Sequence, residues 1–354
     1  MMAARYKTPG KPLVVEEVPD PALRPASAVV RVLATFVAPY FQEMIESVQP
    51  YGTPPLPFTP GMDTIGEVLA VAPDVRGIAV GDRVFCDHYY NTTNLVSKAE
   101  SCYIGVFGKG ENSKPIMAAW PDGSFAEKMI LPGECFTRLG AASAVDPALL
   151  VRLGWIGTCY GGYVRAGFRP GMRIVVNAAT GLMGTAGLVL ALAMGASRVV
   201  AVGRKQRVLD ELVALDPRRV AAVRADAADA TAQMIKATGG GADIMIDCVG
   251  DIADPTTTRN AVAALAPYGT AILAGGVNAA LDVNTKWILD NQVRILGSSW
   301  FPRAAIAELV AMIGTGALDM SVFRAQKWPL AKVNEAIALA AKGPGGLEHL
   351  ALVP

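Results

Sequence analysis

The sequence lacks the features that mark secreted, membrane-spanning or nucleic-acid-binding proteins. Only 18% of its 354 residues are charged, and 32 basic residues against 31 acidic ones give a net charge of +1. No strong field therefore favours nucleic acid or an anionic membrane as a partner. The longest apolar stretch, Leu188–Met194, is too short to cross a bilayer, and residues 1–12 have no apolar core of signal-peptide length.

Cysteine and histidine are also scarce. The five cysteines are odd in number and have no CxxC spacing; they are Cys86, Cys102, Cys135, Cys159 and Cys248. This pattern suits reduced thiols better than a disulfide framework, and we expect a soluble, cytoplasmic protein. His88 and His349 are the only histidines, which leaves little material for a metal site.

Hydrophobic residues make up 52% of the chain, enough for a large core and two domains. Up to about Gly154, short apolar runs alternate with Pro and Gly, as in a β-rich domain with tight turns. These runs are Ala28–Leu33, Ile65–Val71 and Gly81–Phe85.

The second half of the chain has a different pattern, in which apolar strands alternate with helical stretches. The predicted strands are Arg173–Asn177, Val199–Val202, Val220–Val223, Asp243–Asp247 and Thr270–Ala274. This alternation predicts an α/β fold with a doubly wound parallel sheet. After about Ser298 the pattern is mixed again and includes a predicted helix, Leu330–Lys342.

The segment Asn177-Ala-Ala-Thr-Gly-Leu-Met-Gly184 matches the glycine fingerprint of dinucleotide-binding sites, with Ala179 in the first glycine position. It lies between a predicted strand and the predicted helix Thr185–Met194. We expect the backbone at Gly181 to approach a pyrophosphate, and Gly184 to let the helix pack on the strand. The predicted cofactor-binding residues here are Ala179, Thr180, Gly181, Leu182, Met183 and Gly184. An ordinary tight turn is the alternative.

The end of the second predicted strand indicates which dinucleotide is bound. Sites for NAD usually carry Asp or Glu there, about 20 residues after the glycines. Here Gly203-Arg204-Lys205 follows the strand instead. Arginine can hold a 2′-phosphate with two hydrogen bonds, so we predict NADP(H). The alternative is a solvated basic turn.

Several motifs occur in an order that resembles the medium-chain dehydrogenase/reductase superfamily over essentially the whole chain. They are the fingerprint at 177–184 together with Pro60-Gly-Met-Asp-Thr-Ile-Gly66, Gly81-Asp-Arg-Val84, Gly123-Ser-Phe-Ala-Glu127 and Gly241-Ala-Asp243. The resemblance implies a GroES-like catalytic domain (1–154 and 299–354) around a Rossmann NADP(H)-binding domain (155–298). It also implies a cleft active site between the domains and a homo-oligomer, either dimer or tetramer.

The zinc ligands of many such relatives have no counterpart in this chain. Ala38, Met62 and Gly154 stand where those relatives carry Cys, His and Cys, and the four-cysteine structural zinc lobe is absent. Asp63 alone cannot hold Zn²⁺ with such neighbours. We therefore predict no metal, and Asp63 is interpreted as a residue that supports structure or water. The chain resembles the zinc-independent quinone reductases and enoyl reductases better.

The connection at 85–122 is longer than in most zinc-independent relatives. It includes Asp87-His-Tyr-Tyr-Asn91 and Cys102-Tyr-Ile-Gly-Val-Phe107. A long polar and aromatic loop beside a cleft is often functional, and it could wall the substrate pocket or contact a partner subunit. Alternatively, it is a structural remnant of the zinc lobe.

Hydride chemistry belongs to the nicotinamide, so the protein must supply a proton donor. Tyr51 is the first candidate, because enoyl reductases of the family place a Tyr-Gly in the corresponding loop. Tyr40 is the second, since it falls where zinc relatives carry a proton-relay hydroxyl, and His88 is the third. Each could instead be structural.

Other predicted cofactor contacts follow from the resemblance and from the carboxyl ends of strands, where ligands bind in such sheets. They are Thr158, Cys248, Val249, Gly275, Gly276, Val277 and Ser299. Trp300 follows Ser299 in a segment that covers the nicotinamide in family members. It is interpreted either as part of that segment's cofactor contact or as a core or dimer-edge aromatic side chain.

Together these features predict a zinc-independent NADPH-dependent reductase of a small apolar enone, enal or quinone. A metal-free NADP(H)-dependent alcohol dehydrogenase or ketoreductase acting on C=O is the alternative. A non-catalytic NADPH-binding protein is a lesser one. We expect no nucleic-acid or membrane partner.

Overall fold

The computed structural model describes residues 1–48, 51–91, 101–108, 110–250, 252–343 and 345–354. Gln49 and Pro50, which precede Tyr51, lie outside the described residues, as do 92–100 and 109 of the long connection. Within the described chain, every helix is too short or too polar to span a membrane.

The described residues form eighteen strands. In chain order they are β1 (Met2–Arg5), β2 (Val14–Glu17), β3 (Ser27–Phe36), β4 (Met62–Val71), β5 (Arg83–Cys86), β6 (Tyr89–Asn91), β7 (Ser101–Tyr103), β8 (Phe107–Gly108), β9 (Lys128–Pro132), β10 (Phe136–Arg138), β11 (Arg173–Asn177), β12 (Arg198–Gly203), β13 (Val220–Arg224), β14 (Ala242–Asp247), β15 (Leu265–Leu273), β16 (Arg294–Gly297), β17 (Arg324–Pro329) and β18 (Glu348–Val353).

The same ranges contain eleven α-helices. They are α1 (Phe41–Ile45), α2 (Lys114–Ala119), α3 (Pro147–Leu150), α4 (Leu153–Ala166), α5 (Leu182–Ala193), α6 (Gln206–Leu215), α7 (Ala230–Thr238), α8 (Thr256–Val262), α9 (Thr285–Asn291), α10 (Ala304–Gly314) and α11 (Val333–Ala341).

Both ends of the chain build one seven-stranded sheet. Its order is β10-β5-β4-β3-β18-β17, and β9 also pairs with β3. β18 runs antiparallel to β3 and parallel to β17. Most residues of β3 and β4 are buried, because the sheet packs into apolar cores. The predicted GroES-like, β-rich part of the fold is confirmed.

A second sheet has six parallel strands in the order β13-β12-β11-β14-β15-β16. Counted along the chain this is 3-2-1-4-5-6, the arrangement of dinucleotide-binding sheets. All five predicted strands are present, so the Rossmann prediction is confirmed. The sixth strand, β16, was missed because its four residues, Arg-Ile-Leu-Gly, are too few for a pattern.

Three element boundaries differ from the predictions. Helix α5 starts at Leu182, three residues before the predicted start, because Gly181 is its N-cap. Strand β15 begins at Leu265 rather than Thr270. The predicted helix Leu330–Lys342 opens with a 3₁₀ turn, Leu330–Lys332, before α11.

Helix α4 runs alongside the segment that leads from β16 back to the seven-stranded sheet. Its glycines allow this contact: a Cβ at Gly157 would lie 2.7 Å from the Phe301 ring, and one at Gly161 would lie 2.8 Å from the carbonyl oxygen of Trp300. The two backbones therefore approach closely, which fixes the position of Trp300.

The long connection after β5 forms a small sheet, β6-β7-β8. It is anchored to the Trp300 segment, since the Trp300 indole N–H donates to the Asp87 carboxylate at 3.0 Å. The rings of Tyr89 and Tyr103 lie 6.0 and 5.0 Å from that of Trp300. This part of the connection is therefore ordered structure packed against the cleft.

Candidate active site

A cavity of about 500 Å³ lies where the carboxyl ends of the parallel strands face the seven-stranded sheet. The parallel-sheet part of the chain contributes Met183, Leu273, Ala274, Gly275, Ser298 and Ser299 to its lining. Helix α4 contributes Gly154, Trp155 and Thr158, and other segments contribute Tyr40, Met62, Asp63, Tyr103, Phe107 and Trp300. Residues from both sheets thus meet in one cleft, at the place where ligands bind in such folds.

A neighbouring cavity of about 640 Å³ shares Tyr40, Phe107 and Trp155 with the first. Its other lining residues are Pro39, Glu43, Tyr51, Gly250, Gly276, Val277 and Asn278. We name the two cavities the inner cavity (about 500 Å³) and the outer cavity (about 640 Å³). Three aromatic side chains therefore line both cavities.

The fingerprint loop has the geometry of an anion cradle. Gly181 caps α5, and no side chain caps the helix there. A Cβ at Gly181 would meet only the Ala178 carbonyl oxygen, at 3.4 Å, so the protein's own packing does not require glycine. At Gly184 a Cβ would lie 2.2 Å from that oxygen, so here packing does require glycine. The space at Gly181 is available to a ligand.

The rest of the fingerprint is held by its neighbours. The Ala179 N–H donates to Val202 O at 2.8 Å, and a Cβ on Gly203 would lie 2.5 Å from the Thr180 side chain. The Gly346 N–H donates to Thr180 O at 2.9 Å. The carboxy-terminal part of the chain therefore touches the cradle, a contact that no sequence motif indicated.

One more cation than the sequence indicated lies beside the basic turn after β12, namely Arg224 at the end of β13. Arg224 pairs in register with Gly203, its guanidinium donates to Arg204 O at 2.5 Å, and it forms an ion pair with Asp226 at 2.6 Å. The Lys205 ammonium donates to Gly343 O at 2.6 Å, whereas the Arg204 side chain is exposed. Only the pairing of β12 with β13 brings Arg224 here.

The other predicted cofactor contacts fall into three groups. Thr158, Met183, Gly275 and Ser299 line the inner cavity, and Gly276 and Val277 line the outer one. Cys248 and Val249 form the third group, next to Gly275 and Gly276. The Gly276 N–H donates to Val249 O at 2.8 Å, and a Cβ on Gly275 would lie 2.1 Å from that oxygen. The structure brings these residues together along one edge of the sheet.

The two tyrosines predicted as proton donors differ in position. Tyr40 lines both cavities, and its hydroxyl donates to the sulfur of Met62, which lines the inner cavity. Burial raises the pKa of Tyr40 well above its usual value, and the charges of Asp63 and Tyr103 add to this. Tyr51 is 39% exposed, lines the outer cavity and stacks on Phe107 with ring centroids 4.7 Å apart.

His88 lies outside both cavity linings. It is fully buried, with Nδ1 3.0 Å from Ile104 O and Nε2 3.2 Å from the Thr64 hydroxyl. Burial lowers its pKa to about 4. A buried imidazole with both nitrogens occupied fits the structural alternative.

Asp63 is a cavity residue to which the sequence assigned only a supporting role. Its side chain is 1% exposed, and among the described residues its Oδ1 atom has no hydrogen-bond partner. Burial raises the pKa of Asp63 well above its usual value, and the charge of Asp87 raises it further. Burial also raises the pKa of Asp87, to about 7, against the hydrogen bonds from Tyr89 and Trp300 that lower it.

Two family models match the two sheets of this chain. Residues 24–141 match the alcohol dehydrogenase GroES-like domain, and residues 183–315 match the zinc-binding dehydrogenase domain. The chain belongs to the medium-chain dehydrogenase/reductase superfamily. It is therefore an oxidoreductase of that type, and the superfamily implies a nicotinamide dinucleotide cofactor.

Relatives of this superfamily member differ in their described activities. A quinone oxidoreductase-like protein 2 homolog of Nematostella vectensis is 27% identical over 202 residues, which are 56% of this chain and 46% of that protein. The chain thus matches less than half of that relative's length. An NAD-dependent alcohol dehydrogenase of Sulfurisphaera tokodaii is 25% identical over 348 residues, 95% of each chain.

Solved structures share the fold. The 2R,3R-butanediol dehydrogenase of Bacillus subtilis superposes with a TM-score of 0.83 at 16% identity, covering 100% of this chain and 99% of that one. At this identity the likeness concerns the fold alone.

The positions that hold zinc in many superfamily members carry a different chemistry here. Among the residues that the structure describes, no three His, Cys, Asp or Glu side chains are grouped as metal ligands would be. The Met62 sulfur accepts the Tyr40 hydroxyl, and the Asp63 carboxyl fills the space beside Gly154, where a Cβ would lie 2.1 Å from Oδ1. Alanine, methionine and glycine with one buried carboxyl do not form a tetrahedral zinc ligand set.

The two fingerprint glycines give a matched pair of variants. We expect Gly184→Ala to lower the free energy of unfolding by about 1–3 kcal/mol, because its Cβ must displace backbone. We expect Gly181→Ala to cost less than about 1 kcal/mol, yet to weaken dinucleotide binding at least about tenfold by filling the ligand's space. Urea unfolding and fluorescence titration measure the two effects. Wild-type affinity in Gly181→Ala would contradict the cradle.

Asp87 predicts a pH-dependent stability. The folded-state pKa of Asp87, about 7, is above that of an unfolded aspartate. The contribution of Asp87 to the free energy of unfolding is therefore complete below pH ~4 and is lost as pH rises through about 7. The Asp87→Asn variant keeps an oxygen that accepts the Trp300 indole N–H. Because the amide does not titrate, the variant does not lose this contribution as pH rises. We expect it to exceed the wild type in free energy of unfolding by up to about 4 kcal/mol at pH ~8 and by little at pH ~4. Denaturant unfolding across pH is the measurement, with exposed Asp290→Asn as control. A constant difference would contradict the prediction.

Proposed function

We propose that this protein is a zinc-independent, NADPH-dependent reductase of flat conjugated carbonyl compounds, namely enones, enals or quinones. The observation that carries the proposal is the aromatic wall of the inner cavity. Tyr103 lies 4.8 Å from Phe107 and 5.0 Å from Trp300 between ring centroids, and Tyr40 and Trp155 complete the wall. Such rings favour a planar, apolar ligand and leave little room for a branched polyol.

NADPH is proposed because of the charges at the end of β12. Arg204, Lys205 and Arg224 meet there, and no carboxylate ends the strand. The exposed Arg204 side chain is available for a 2′-phosphate, which an Asp at this place would repel. Asp226 is committed to Arg224.

Zinc independence is proposed from the donors at the equivalent positions. The donors present are one thioether, already hydrogen-bonded to Tyr40, and one buried carboxyl. A Lewis acid would need at least three good ligands at this place. In this proposal a side chain rather than a metal stabilises the charge that forms on the substrate oxygen.

A second candidate is direct reduction of an isolated C=O group. It is favoured by the Asp63 carboxyl, which lines the inner cavity, whereas Tyr51 lines the outer one. A non-catalytic NADPH-binding role is the third reading. Product identity separates the three.

The cofactor proposal is tested with Arg204→Ala. Loss of a charge-assisted hydrogen bond to the 2′-phosphate is expected to raise the KM for NADPH about 10- to 100-fold and to leave that for NADH within about twofold. Arg207→Ala is the matched control, because Arg207 lies three residues later, in the first turn of α6, and pairs with Glu211 at 2.5 Å. Equal effects on both cofactors would place the 2′-phosphate elsewhere.

The reaction is tested by following NADPH consumption after treatment with a chelator and identifying the products. The substrates are a quinone, an enone, an enal, a simple ketone and an aldehyde. We expect the enone to give the saturated ketone and the chelator to change nothing. Alcohol products would favour the second candidate. Loss of activity on chelation, restored by Zn²⁺, would contradict zinc independence.

A further inference from the structure

Three titratable side chains line the inner cavity, and two of them are committed to other partners. They are Tyr40, Asp63 and Tyr103. Tyr40 donates to the Met62 sulfur, and Tyr103 hydrogen-bonds with Ser299. The Oδ1 atom of Asp63, in contrast, has no partner among the described residues. A buried polar atom without a partner is costly, and in a residue that lines a cavity it indicates a missing ligand or water.

The backbone at Asp63 is built to aim this side chain. On β3 the neighbours Phe36 and Thr35 pair with Met62 and Thr64, so Asp63 is the extra residue of a β-bulge. Its φ is +51°, in the left-handed region that a non-glycine residue rarely adopts. Bulges and strained residues of this kind redirect side chains at functional sites.

Helix α4 leaves room for the redirected carboxyl. A Cβ at Gly154 would lie 2.1 Å from Asp63 Oδ1 and 2.4 Å from its Cγ. The carboxyl thus occupies the volume that any side chain at 154 would need. Asp63 lines the inner cavity together with Met62, and Thr158, one turn after Gly154 on α4, lines the same cavity.

We propose that Asp63 is the proton donor of the reaction, with its protonated carboxyl hydrogen-bonded to the carbonyl oxygen of the substrate. This inference rests on the proposed function, since it assumes a carbonyl substrate in the inner cavity. It replaces Tyr51, which lies in the outer cavity, and His88, which lies in neither.

NADPH, when bound, would supply a hydride, that is, one hydrogen with two electrons. As that hydrogen bonds to the β-carbon of an enone, the C=C electrons move toward the carbonyl carbon and the C=O electrons move to oxygen. The O–H bond of Asp63 breaks, its proton bonds to that oxygen, and a carboxylate remains. The enol then tautomerises to the saturated ketone, and a proton taken up from solvent restores the Asp63 carboxyl, so each enone consumes one NADPH and one H⁺. With an isolated C=O group the same transfer gives an alcohol.

The surroundings favour the protonated form of Asp63. The groups that face it are Asp87 from the β5–β6 connection, Tyr40 before α1 and Tyr103 on β7. Arg303 acts on Asp87, whose pKa it lowers. Burial raises the pKa of Asp63 and the Asp87 charge raises it further, so both favour the neutral acid, which is the form that can donate a hydrogen bond.

The test compares wild type with Asp63→Asn, which keeps the shape and removes the proton. We expect kcat to fall about 10²- to 10³-fold while the NADPH dissociation constant stays within about twofold. The wild-type kcat should decline as pH rises through the pKa of Asp63, whereas the residual activity of the variant should lack this decline. Glu67→Gln is the matched control: it is the same chemical change on the same strand, β4, at a residue paired with Arg31, and it should keep wild-type kcat.

A second readout is independent of turnover. The wild-type-minus-Asp63→Asn infrared spectrum should contain the C=O stretch of a protonated carboxyl at neutral pH, and this band should disappear at high pH. Asp87→Asn should move the disappearance to lower pH, because it removes the repelling charge. If Asp63→Asn does not fold, the band can be followed in wild type and Asp87→Asn alone.

The outcomes separate the two proposals. If wild type reduces the panel and Asp63→Asn keeps kcat within about threefold, the assignment of Asp63 is wrong and the proposed function stands. If wild type reduces nothing on the panel, the proposed function fails. In either case, absence of the carboxyl band at neutral pH overturns the proposal that Asp63 is the protonated donor.

Discussion

The close approach of other segments to helix α4 is the constraint on which the cleft depends. Gly154, Gly157 and Gly161 occur at intervals of three and four and admit the Asp63 carboxyl, the Phe301 ring and the Trp300 backbone. Residues at this spacing share one helix face. Any larger residue at these places would push the Trp300 segment and the seven-stranded sheet away from the parallel sheet.

The parallel sheet and its phosphate cradle could be predicted from sequence because their signals are local. A buried parallel strand is apolar throughout, and the order of Gly181 and Gly184 after β11 is set by backbone contacts within a few residues. The predicted start of α5 is three residues too late, because apolar periodicity does not reveal a glycine N-cap. β16 was missed since four residues cannot establish a period.

The chemistry of the inner cavity could not be predicted in the same way, because it depends on contacts between distant segments. The bulge at Asp63 exists only through the pairing of β4 with β3, and the space for its carboxyl is left by a glycine 91 positions later in the chain. Arg224 reaches Arg204 only through the pairing of β13 with β12. His88, prominent as one of two histidines, is enclosed by β-sheet packing. His88 was a candidate because it is a titratable group in the long connection, whereas burial and geometry single out Asp63.

The three rings shared by the two cavities have a further consequence. Tyr40, Phe107 and Trp155 line both spaces, so a molecule bound in either cavity would contact the same three rings. A substitution at any one of these rings would therefore change two binding environments at once, and the effects of ligands in the two cavities on each other can be read from a single side chain.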